Sequence, residues 1–277
     1  MAIKSEPVSD LITIDNQYLS RVTTRRNIMT NYQKTVHGCL PGGETAVFEL
    51  YTFLLAHYLP TRFPTIFTVS KNSFHNKVTG KTFPTTPPQD PETCLRILGE
   101  TVEEDIFLLK ETETTHVCLA FTCCFPTGFD PSSKLGLGLT SIHGPVPSYE
   151  KIGPSMERFF RKLEVGKSVK RMNLLGNKHL IKERMRQKLV MAANLNLSLY
   201  KANLRIELQS LTRLPETKFV LFCFKTYLYP LADIKAEGTG SELADAIEGL
   251  QKGNAPGMFK YKSAVRWGKS VAEYLRS

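Results

Sequence analysis

Two consecutive segments near the C-terminal end restrict the fold more than any other feature of this sequence. ANLRIELQSLTRL (202–214) alternates polar and apolar residues with the period of two that is typical of a β-strand. KFVLFCFKTYLYPL (218–231) is mostly apolar and rich in residues that favour strands. Only Pro215, Glu216 and Thr217 separate the two segments, so the pattern predicts a long β-hairpin.

The order of the other elements predicts an α+β fold with a mainly antiparallel sheet. Helical periodicity dominates residues 1–62, strands and helices follow without a regular βαβ repeat, and two helices close the chain. The sequence contains no dinucleotide-binding GxGxxG in the right context, no Walker A motif, no HExxH and no nucleophile elbow. Its function therefore has to be argued from individual polar residues.

The predicted strand over 202–214 carries an informative polar row. Alternation places Arg205, Glu207 and Gln209 on one face with Leu211, opposite a face that is mainly apolar. Polar groups that point into a protein interior cost free energy unless they are paired. Two interpretations follow. The strand lies at a sheet edge with its polar face in water, or this face borders a binding cavity for an anion and a cation.

A single histidine lies in an unusually rigid setting. In SIHGPVPSYEKIG (141–153), His143 is followed by a glycine and two prolines, just before a helix predicted from about Pro154 to Leu163. Proline restricts the backbone and thereby orients a neighbouring imidazole. His143 is either a hydrogen-bonded loop residue or a metal or haem ligand, because a fixed orientation benefits an axial ligand.

Charge and hydropathy limit the partners of the chain. No window reaches the roughly 18 apolar residues of a membrane span, and the N-terminal residues do not resemble a targeting signal, so we expect a cytoplasmic protein without a membrane partner. The net charge of +10 is scattered, which disfavours nucleic-acid binding. Basic clusters at 158–171 and 178–188 are either solvated helix faces or a docking surface for an acidic electron-transfer protein.

The six cysteines do not form a cofactor motif. None belongs to a CxxC pair, and no zinc or iron–sulfur spacing is present. Cys118, Cys124 and Cys223 lie in apolar runs, where we expect them to be buried free thiols. Any iron–sulfur cluster that delivers electrons to this protein must therefore lie on another chain.

Several of these segments together resemble one known family. IHGPVPSYEKIGPSMERFF, RIELQSLTRLP, FKTYLYPL and YKSAVRWGKSVAEYL are similar to the haem-dependent oxidative N-demethylase alpha-subunit-like family, over about residues 11–275. The resemblance implies a single haem-binding PAS-like domain over 1–277, in which an antiparallel sheet cups the haem and helices surround it. Within it we expect an N-terminal helical segment (1–62), a basic helical insertion (176–200) and C-terminal helices (232–277).

The resemblance also implies a cofactor and site residues. His143 would be the axial ligand of a b-type haem, whose iron and O2 oxidise an N-methyl group of a small amine that leaves as formaldehyde. A separate flavin and iron–sulfur reductase would supply electrons. On this hypothesis Glu207 steers a cationic amine and Gln209 bonds to oxygen or substrate. The haem propionates would be held by arginines: Arg205, Arg213 and Arg171.

The chain departs from the family pattern at a few positions. Where the family reads Arg-x-Glu-Arg-Gln-Thr-Leu-x-Arg-Leu-Pro, this sequence has Leu208 in place of the second arginine and Ser210 in place of threonine. Leu174 stands where an aromatic residue is usual. We therefore expect a retained haem site with altered distal chemistry, in which Arg205 or Arg171 substitutes for the absent arginine.

Two alternatives to an enzyme remain at this stage. The same PAS-like scaffold could serve as a non-catalytic haem sensor or carrier, which the absent arginine favours. The chain carries no recognisable output domain, which disfavours a sensor because a sensor needs something to switch. A haem-free interaction module is the third interpretation.

Overall fold

The computed structural model describes residues 3–175, 202–253 and 255–277. These residues divide into two compact units. The first unit contains residues 1–142, 154–171 and 208–225, and the second contains 143–153, 172–207 and 226–277. The predicted basic insertion (176–200) lies outside the described residues. The assignment of residues 1–277 to one domain stays a prediction.

The helices follow the predicted order. They are α1 (Tyr18–Val36), α2 (Glu44–Thr52), α3 (Leu59–Arg62), α4 (Pro91–Thr101), α5 (Leu139–Ile142), α6 (Tyr149–Arg161), α7 (Leu231–Ala236), α8 (Gly240–Gly249), α9 (Gly257–Tyr261) and α10 (Ala264–Arg276). A wider π-helical segment (Phe53–Tyr58) joins α2 to α3, and short 3-10 turns cover Val8–Asp10 and Ser132–Lys134. Among the residues that the structure describes, no helix is long and apolar enough to cross a membrane.

The strands form one large sheet and one small sheet. They are β1 (Lys4–Glu6), β2 (His37–Cys39), β3 (Phe67–Ser70), β4 (Ser73–Asn76), β5 (Lys81–Pro84), β6 (Asp105–Glu111), β7 (His116–Thr122), β8 (Ser168–Leu175), β9 (Asn203–Arg213) and β10 (Val220–Pro230). The large sheet has the order β1-β8-β9-β10-β6-β7-β2, and the small sheet has the order β3-β4-β5. The open antiparallel sheet with surrounding helices confirms the predicted α+β class.

The predicted hairpin is present, but the edge-strand interpretation of its first strand is wrong. β9 and β10 are neighbours joined by the turn at 215–217, where the Leu214 amide donates to the Phe219 carbonyl. β9 lies between β8 and β10, with both backbone edges paired. Alternation along one strand shows which residues share a face, but whether that face meets water depends on what packs over it.

Each face of the large sheet has its own apolar cluster in the first unit. Residues of α2 and α4 pack with the face of β10 that carries Leu221 and Cys223. On the opposite face, Leu211 of β9 packs with Phe160 and Leu163 at the C-terminal end of α6 and the loop that follows it. Near its turn the hairpin is therefore buried on both sides, which explains the apolar sequence of the first half of β10.

One helix begins earlier than the sequence predicts. We expected it to begin near Pro154, because proline favours the first turn of a helix. The helix α6 begins instead at Tyr149, and Pro154 lies inside it. A proline in the second turn still removes only one main-chain donor, so α6 continues through it to Arg161.

A buried charge cluster attaches the N-terminal segment to the sheet. Arg25 of α1 is fully buried and donates to Asp105 of β6 (Nη1 to Oδ1, 2.6 Å). Lys225 of β10 contacts carboxylate oxygens of Asp15 and Glu103, each at 2.8 Å. Breaking a buried ion pair by removing one partner costs about 3–5 kcal/mol, so this cluster fixes the position of α1 against the sheet.

The second unit has a smaller apolar core of its own. Ala202, just before β9, and Leu231 of α7 pack with one face of α8 and one face of α10. The Leu231 amide donates to the Ala202 carbonyl, which ties the end of β10 to the start of β9. Three of the predicted site residues lie in this unit, namely His143, Arg205 and Glu207.

Candidate functional site

The pleat of β9 presents the predicted polar row to a buried face. Arg205, Glu207 and Gln209 are only 6%, 6% and 4% exposed, whereas the alternating Leu204, Ile206 and Leu208 are all half-buried. A buried row of charged and amide groups must be paired within the protein to be tolerated. The contacts of the row are therefore informative about its role.

Gln209 is paired with an arginine of the neighbouring strand in the first unit. The Nε atom of Arg171 on β8 donates to the Oε1 atom of Gln209 at 2.6 Å. Arg171 is half-buried, and β8 and β9 are hydrogen-bonded neighbours. Two residues predicted separately, one for the cofactor and one for catalysis, are thus in direct contact.

Arg205 and Glu207 form a separate buried pair in the second unit. The Nη2 atom of Arg205 lies 3.2 Å from the Oε1 atom of Glu207 and donates to the hydroxyl of Thr226 at 2.9 Å. Tyr261 of α9 belongs to the same neighbourhood, because burial and the charge of Glu207 both raise the pKa of its phenol. The Thr226 hydroxyl, the Arg205 guanidinium and the Glu207 carboxylate therefore meet here.

Leu208 does not interrupt the polar row. Side chains on a strand alternate between faces, so position 208 faces away from positions 207 and 209. The half-buried state of Leu208 agrees with its apolar neighbours Leu204 and Ile206 rather than with the buried polar row. The leucine at position 208 leaves Glu207 and Gln209 with their partners.

Arg213 is engaged by the protein itself. Its guanidinium donates to the main-chain carbonyls of Phe160 and Leu163, both at 2.7 Å, and to that of Lys218 at 2.9 Å. Its Nη1 atom also lies 2.9 Å from a carboxylate oxygen of Glu111. Cations satisfy carbonyls at helix C-termini. These contacts favour a structural role at the end of α6, and the predicted propionate contact of Arg213 stays a prediction.

His143 lies directly after α5 in a short, constrained loop. Its half-buried imidazole stacks on the ring of Tyr149, with ring centroids 4.8 Å apart and an interplanar angle of 7°. The amide of Val146 donates to the His143 carbonyl at 2.7 Å. The stacked ring and the loop hydrogen bond restrict the plane of the imidazole, as an axial ligand requires.

The helix after this loop is held at two points in the first unit. Glu157 of α6 accepts hydrogen bonds from the His116 ring (Nδ1 to Oε2, 2.6 Å) and from the hydroxyl of Thr115. Arg213 binds the two carbonyls at the C-terminal end of the same helix. The sequence analysis did not single out His116, so it missed this buried contact.

A close backbone approach supports the His143 loop in the second unit. Gly257 begins α9, and a Cβ atom at this position would lie 2.9 Å from Cβ and 3.3 Å from Cγ of Pro147. A proline ring cannot rotate away, so only glycine permits this contact without a shift of the loop or the helix. Glycine at position 257 thus allows α9 to pack directly against the residues that follow His143.

We expect Gly257→Ala to destabilise the protein by about 1–3 kcal/mol through overpacking. The same variant should shift the NMR signals of the His143 imidazole, because the loop must move. Gly249→Ala is the matched control, since a Cβ atom at that helical position meets no atom within 4 Å. Equal melting temperatures and equal His143 signals in the two variants would contradict the packing argument.

An aromatic cluster adjoins the polar row in the first unit. Phe107, Phe121 and Phe224 are stacked with centroids 5.7 and 6.2 Å apart, and Leu211, one pleat from Gln209, packs in the same cluster. Ile142, the residue before His143, also packs against it. The first unit thus places an aromatic surface beside Gln209, which suits the apolar face of a flat ring system.

Other features of the described chain do not involve the predicted residues. A groove of about 430 Å³ in the first unit is lined by the hairpin turn and by the α2 helix, and none of the six predicted site residues lines it. Among the described residues, no group of three or more His, Cys, Asp or Glu side chains is arranged to hold a metal ion. All six cysteines are free thiols, and Cys118, Cys124 and Cys223 are buried as predicted.

Comparisons with known proteins identify one family. The family model described as "Haem-dependent oxidative N-demethylase, alpha subunit-like" matches residues 2–272. No curated protein matches the chain. The family match covers all of the predicted site residues and both structural units.

Proposed function

Because the chain belongs to the haem-dependent oxidative N-demethylase alpha-subunit-like family, we propose that it oxidises the N-methyl group of a small amine with the help of bound haem and O2. The family name supports haem-dependent oxidative demethylation. The observation that carries the proposal to this chain is the buried row of Arg205, Glu207 and Gln209, which keeps its polar partners although Leu208 departs from the family pattern.

The proposed reaction balances with two external electrons. An N-methyl amine, O2, two electrons and two protons give an N-hydroxymethyl amine and water, and the hydroxymethyl compound then releases formaldehyde. When bound, haem supplies the oxygen chemistry that side chains lack. The two electrons require a reductant, so a separate flavin and iron–sulfur reductase is part of the proposal. The chain's own residues bind the haem, orient the amine and transfer its proton.

We assign His143 as the proposed axial ligand of a b-type haem. Its stacking on Tyr149 and the hydrogen bond to its carbonyl restrict the imidazole, which supports this role. Arg205 and Arg171 are the proposed cations near the haem propionates, because both guanidinium groups lie on the polar face. The PAS-like cup of the sheet and the single-domain organisation belong to the same proposal.

Glu207 and Gln209 are the proposed substrate-side residues. The Glu207 carboxylate forms an ion pair with Arg205, so its negative charge is not left unpaired in the protein interior. The same carboxylate attracts the cationic amine. Burial and the charge of Glu207 raise the pKa of the Tyr261 phenol, so this group stays a neutral hydroxyl. Glu207 thus orients the amine nitrogen and receives or returns its proton, while Gln209 bonds to oxygen or to the substrate.

A turnover experiment tests the proposed function. The full chain is loaded with haem and supplied with a chemical or enzymatic reductant, O2 and a panel of N-methylated amines. We expect formaldehyde release matched to oxygen uptake. Glu207→Gln, which keeps the shape but removes the charge, should lower kcat/KM for a cationic amine by about 10–100-fold, as loss of a charge-assisted contact predicts.

Two results would contradict the proposed function. Haem binding with reversible oxygen binding and no formaldehyde from any amine would contradict the enzyme proposal in favour of a sensor or carrier. Absence of haem binding under all loading conditions would contradict the proposal that haem is the cofactor.

A further inference from the structure

We propose that the outer side of α6 and the loop that follows it form the docking surface for an acidic electron-donor protein. The surface consists of a basic ridge, defined as Arg158, Arg161 and Lys162, together with Val165 and Lys167. The need for an electron donor rests on the proposed function. The location of the surface rests on the exposure, charges and contacts of residues in the first unit alone.

The spacing of the ridge residues places them side by side in water. Positions 158, 161 and 162 are three and four residues apart, so their side chains project from the same side of a helix. All three residues are exposed. Phe160 and Leu163 are instead buried in the apolar cluster beneath the helix. The C-terminal half of α6 therefore has an apolar inner side and a cationic outer side.

The carboxylates near the ridge leave it positively charged. Residues 158–167 contain two arginines, two lysines and one glutamate. That glutamate, Glu164, is paired with Lys167, whose Nζ atom lies 2.8 Å from its Oε2 atom. Glu157 of the same helix points inward, where it accepts hydrogen bonds from His116 and Thr115. The ridge thus presents an excess of positive charge that an acidic protein surface complements.

An exposed apolar residue lies among these cations. Val165 is 41% exposed, three positions after Lys162 and two before Lys167. Protein interfaces combine an apolar centre with a polar rim. A nucleic acid would bind the cations through its phosphates and would leave the valine without a matching contact. The combination of Val165 with the basic ridge therefore favours a protein partner.

Contacts beneath the helix hold the surface in place before any partner binds. The guanidinium of Arg213 donates to the carbonyls of Phe160 and Leu163, both at 2.7 Å. Arg161 of the ridge donates through its own Nη2 atom to the carbonyl of Glu113 at 2.6 Å. A surface that is ordered in the free protein loses less conformational entropy when it associates.

The inner side of the same helix contacts the aromatic cluster of the candidate site. Phe160 and Leu163 pack with Leu211, one pleat from Gln209. A helix with its side chains is about 10–12 Å across. A donor on the ridge therefore lies about one helix thickness from this cluster. In each proposed turnover the donor is oxidised by two electrons, which O2 and two protons consume as the amine is hydroxylated.

An NMR titration tests the location of the surface. The full, haem-loaded chain is labelled with 15N, and a small acidic 2Fe–2S ferredoxin is added as the probe. Because its cluster is paramagnetic, it broadens the amide signals that lie near it. We expect broadening at Arg158, Lys162 and Val165 in low salt. The broadening should disappear in about 0.5 M salt, where screening acts within roughly 4 Å. Unchanged signals at these positions in low salt would overturn the proposal.

Charge reversal distinguishes this surface from general attraction to a basic protein. The double variant Arg158→Glu with Lys162→Glu should raise the Kd for ferredoxin about tenfold or more in low salt, because like charges then face each other. Arg266→Glu with Lys269→Glu is the matched control, since it reverses two exposed cations of α10 and changes the net charge equally. Equal weakening in both double variants would overturn the proposal. So would a DNA duplex that perturbs the ridge amides more strongly than ferredoxin does.

Reduction kinetics separate docking from the proposed function. Reduced ferredoxin should reduce the haem of the Arg158→Glu, Lys162→Glu variant about tenfold more slowly than that of the wild type in low salt. Dithionite needs no docking surface and should reduce both proteins at the same rate. Equal rates with ferredoxin would overturn the proposal. Ridge-dependent reduction by ferredoxin without formaldehyde from any amine would support the docking surface and refute only the proposed demethylation.

Discussion

Replacement of His143 with alanine is expected to remove most of the haem-binding capacity of the protein. The imidazole is the side chain of its loop that can coordinate iron, and it is held in one plane by Tyr149. Loss of groups that merely orient a metal ligand already costs about 10–100-fold in affinity, so loss of the ligand itself should cost more. Haem titration with the Soret band as signal measures this effect.

Two controls separate ligand loss from unfolding. His143→Gly leaves space for free imidazole, so added imidazole should restore the Soret band if the ring is the ligand. His57→Ala removes an exposed histidine that lines the groove of the first unit, and it should bind haem as the wild type does. The assignment is wrong if His143→Ala retains the wild-type stoichiometry and spectrum.

Replacement of Glu104 with glutamine is expected to change stability in a pH-dependent way. The unfolding free energy of the variant, compared with that of the wild type, should be more favourable at alkaline pH than at acidic pH. Burial raises the pKa of Glu104 from 4.5 to about 7. The Thr13 amide donates to Oε1 at 2.8 Å, whereas Oε2 has no hydrogen-bond partner among the described residues. The buried carboxyl is therefore mainly neutral below pH 7, about half ionised near pH 7 and mainly ionised above it.

The sign of the pH effect follows from linkage. The folded state binds the proton more tightly than the unfolded state does, so wild-type stability decreases as pH rises from about 4.5 to about 7 and then stays reduced. Glutamine cannot ionise and lacks this loss. Between pH 5 and pH 9 the difference in unfolding free energy should move by about 3 kcal/mol in favour of Glu104→Gln.

Denaturant titrations at the two pH values measure this change, and any constant effect of the new amide cancels in the comparison. Glu248→Gln is a control of opposite sign, because the hydrogen bond from Arg276 lowers the pKa of Glu248. That variant should gain nothing at alkaline pH. A pH-independent difference for Glu104→Gln would show that the Glu104 carboxyl ionises alike in the folded and unfolded states.

Prediction from the sequence was most successful for elements that depend on residues close together in the sequence. The hairpin of β9 and β10 and helices within residues 1–62 were predicted from local periodicity, and they are present. The start of α6 was misplaced by about five residues, because Pro154 was expected in the first turn but lies inside the helix, where it removes one main-chain hydrogen bond. The resemblance to the haem-dependent family was confirmed over residues 2–272.

The candidate site was predicted in part. Alternation grouped Arg205, Glu207 and Gln209 on one face, and all three are buried there. The Thr226 hydroxyl, which accepts a hydrogen bond from Arg205, was missed. The role of Arg213 was inferred from the family resemblance, whereas its contacts with the carbonyls of Phe160 and Leu163 depend on the path of α6 and the loop that follows it.

The sequence by itself determined the periodicity of β9, and hence which side chains share a face. Only the tertiary structure decided that this face is buried, that Arg171 meets Gln209 across 38 positions of chain, and that Gly257 meets Pro147. The physical reason is that periodicity comes from the geometry of one strand, repeated every two residues. Burial and pairing come from segments distant in sequence, whose meeting depends on the packing of the whole core.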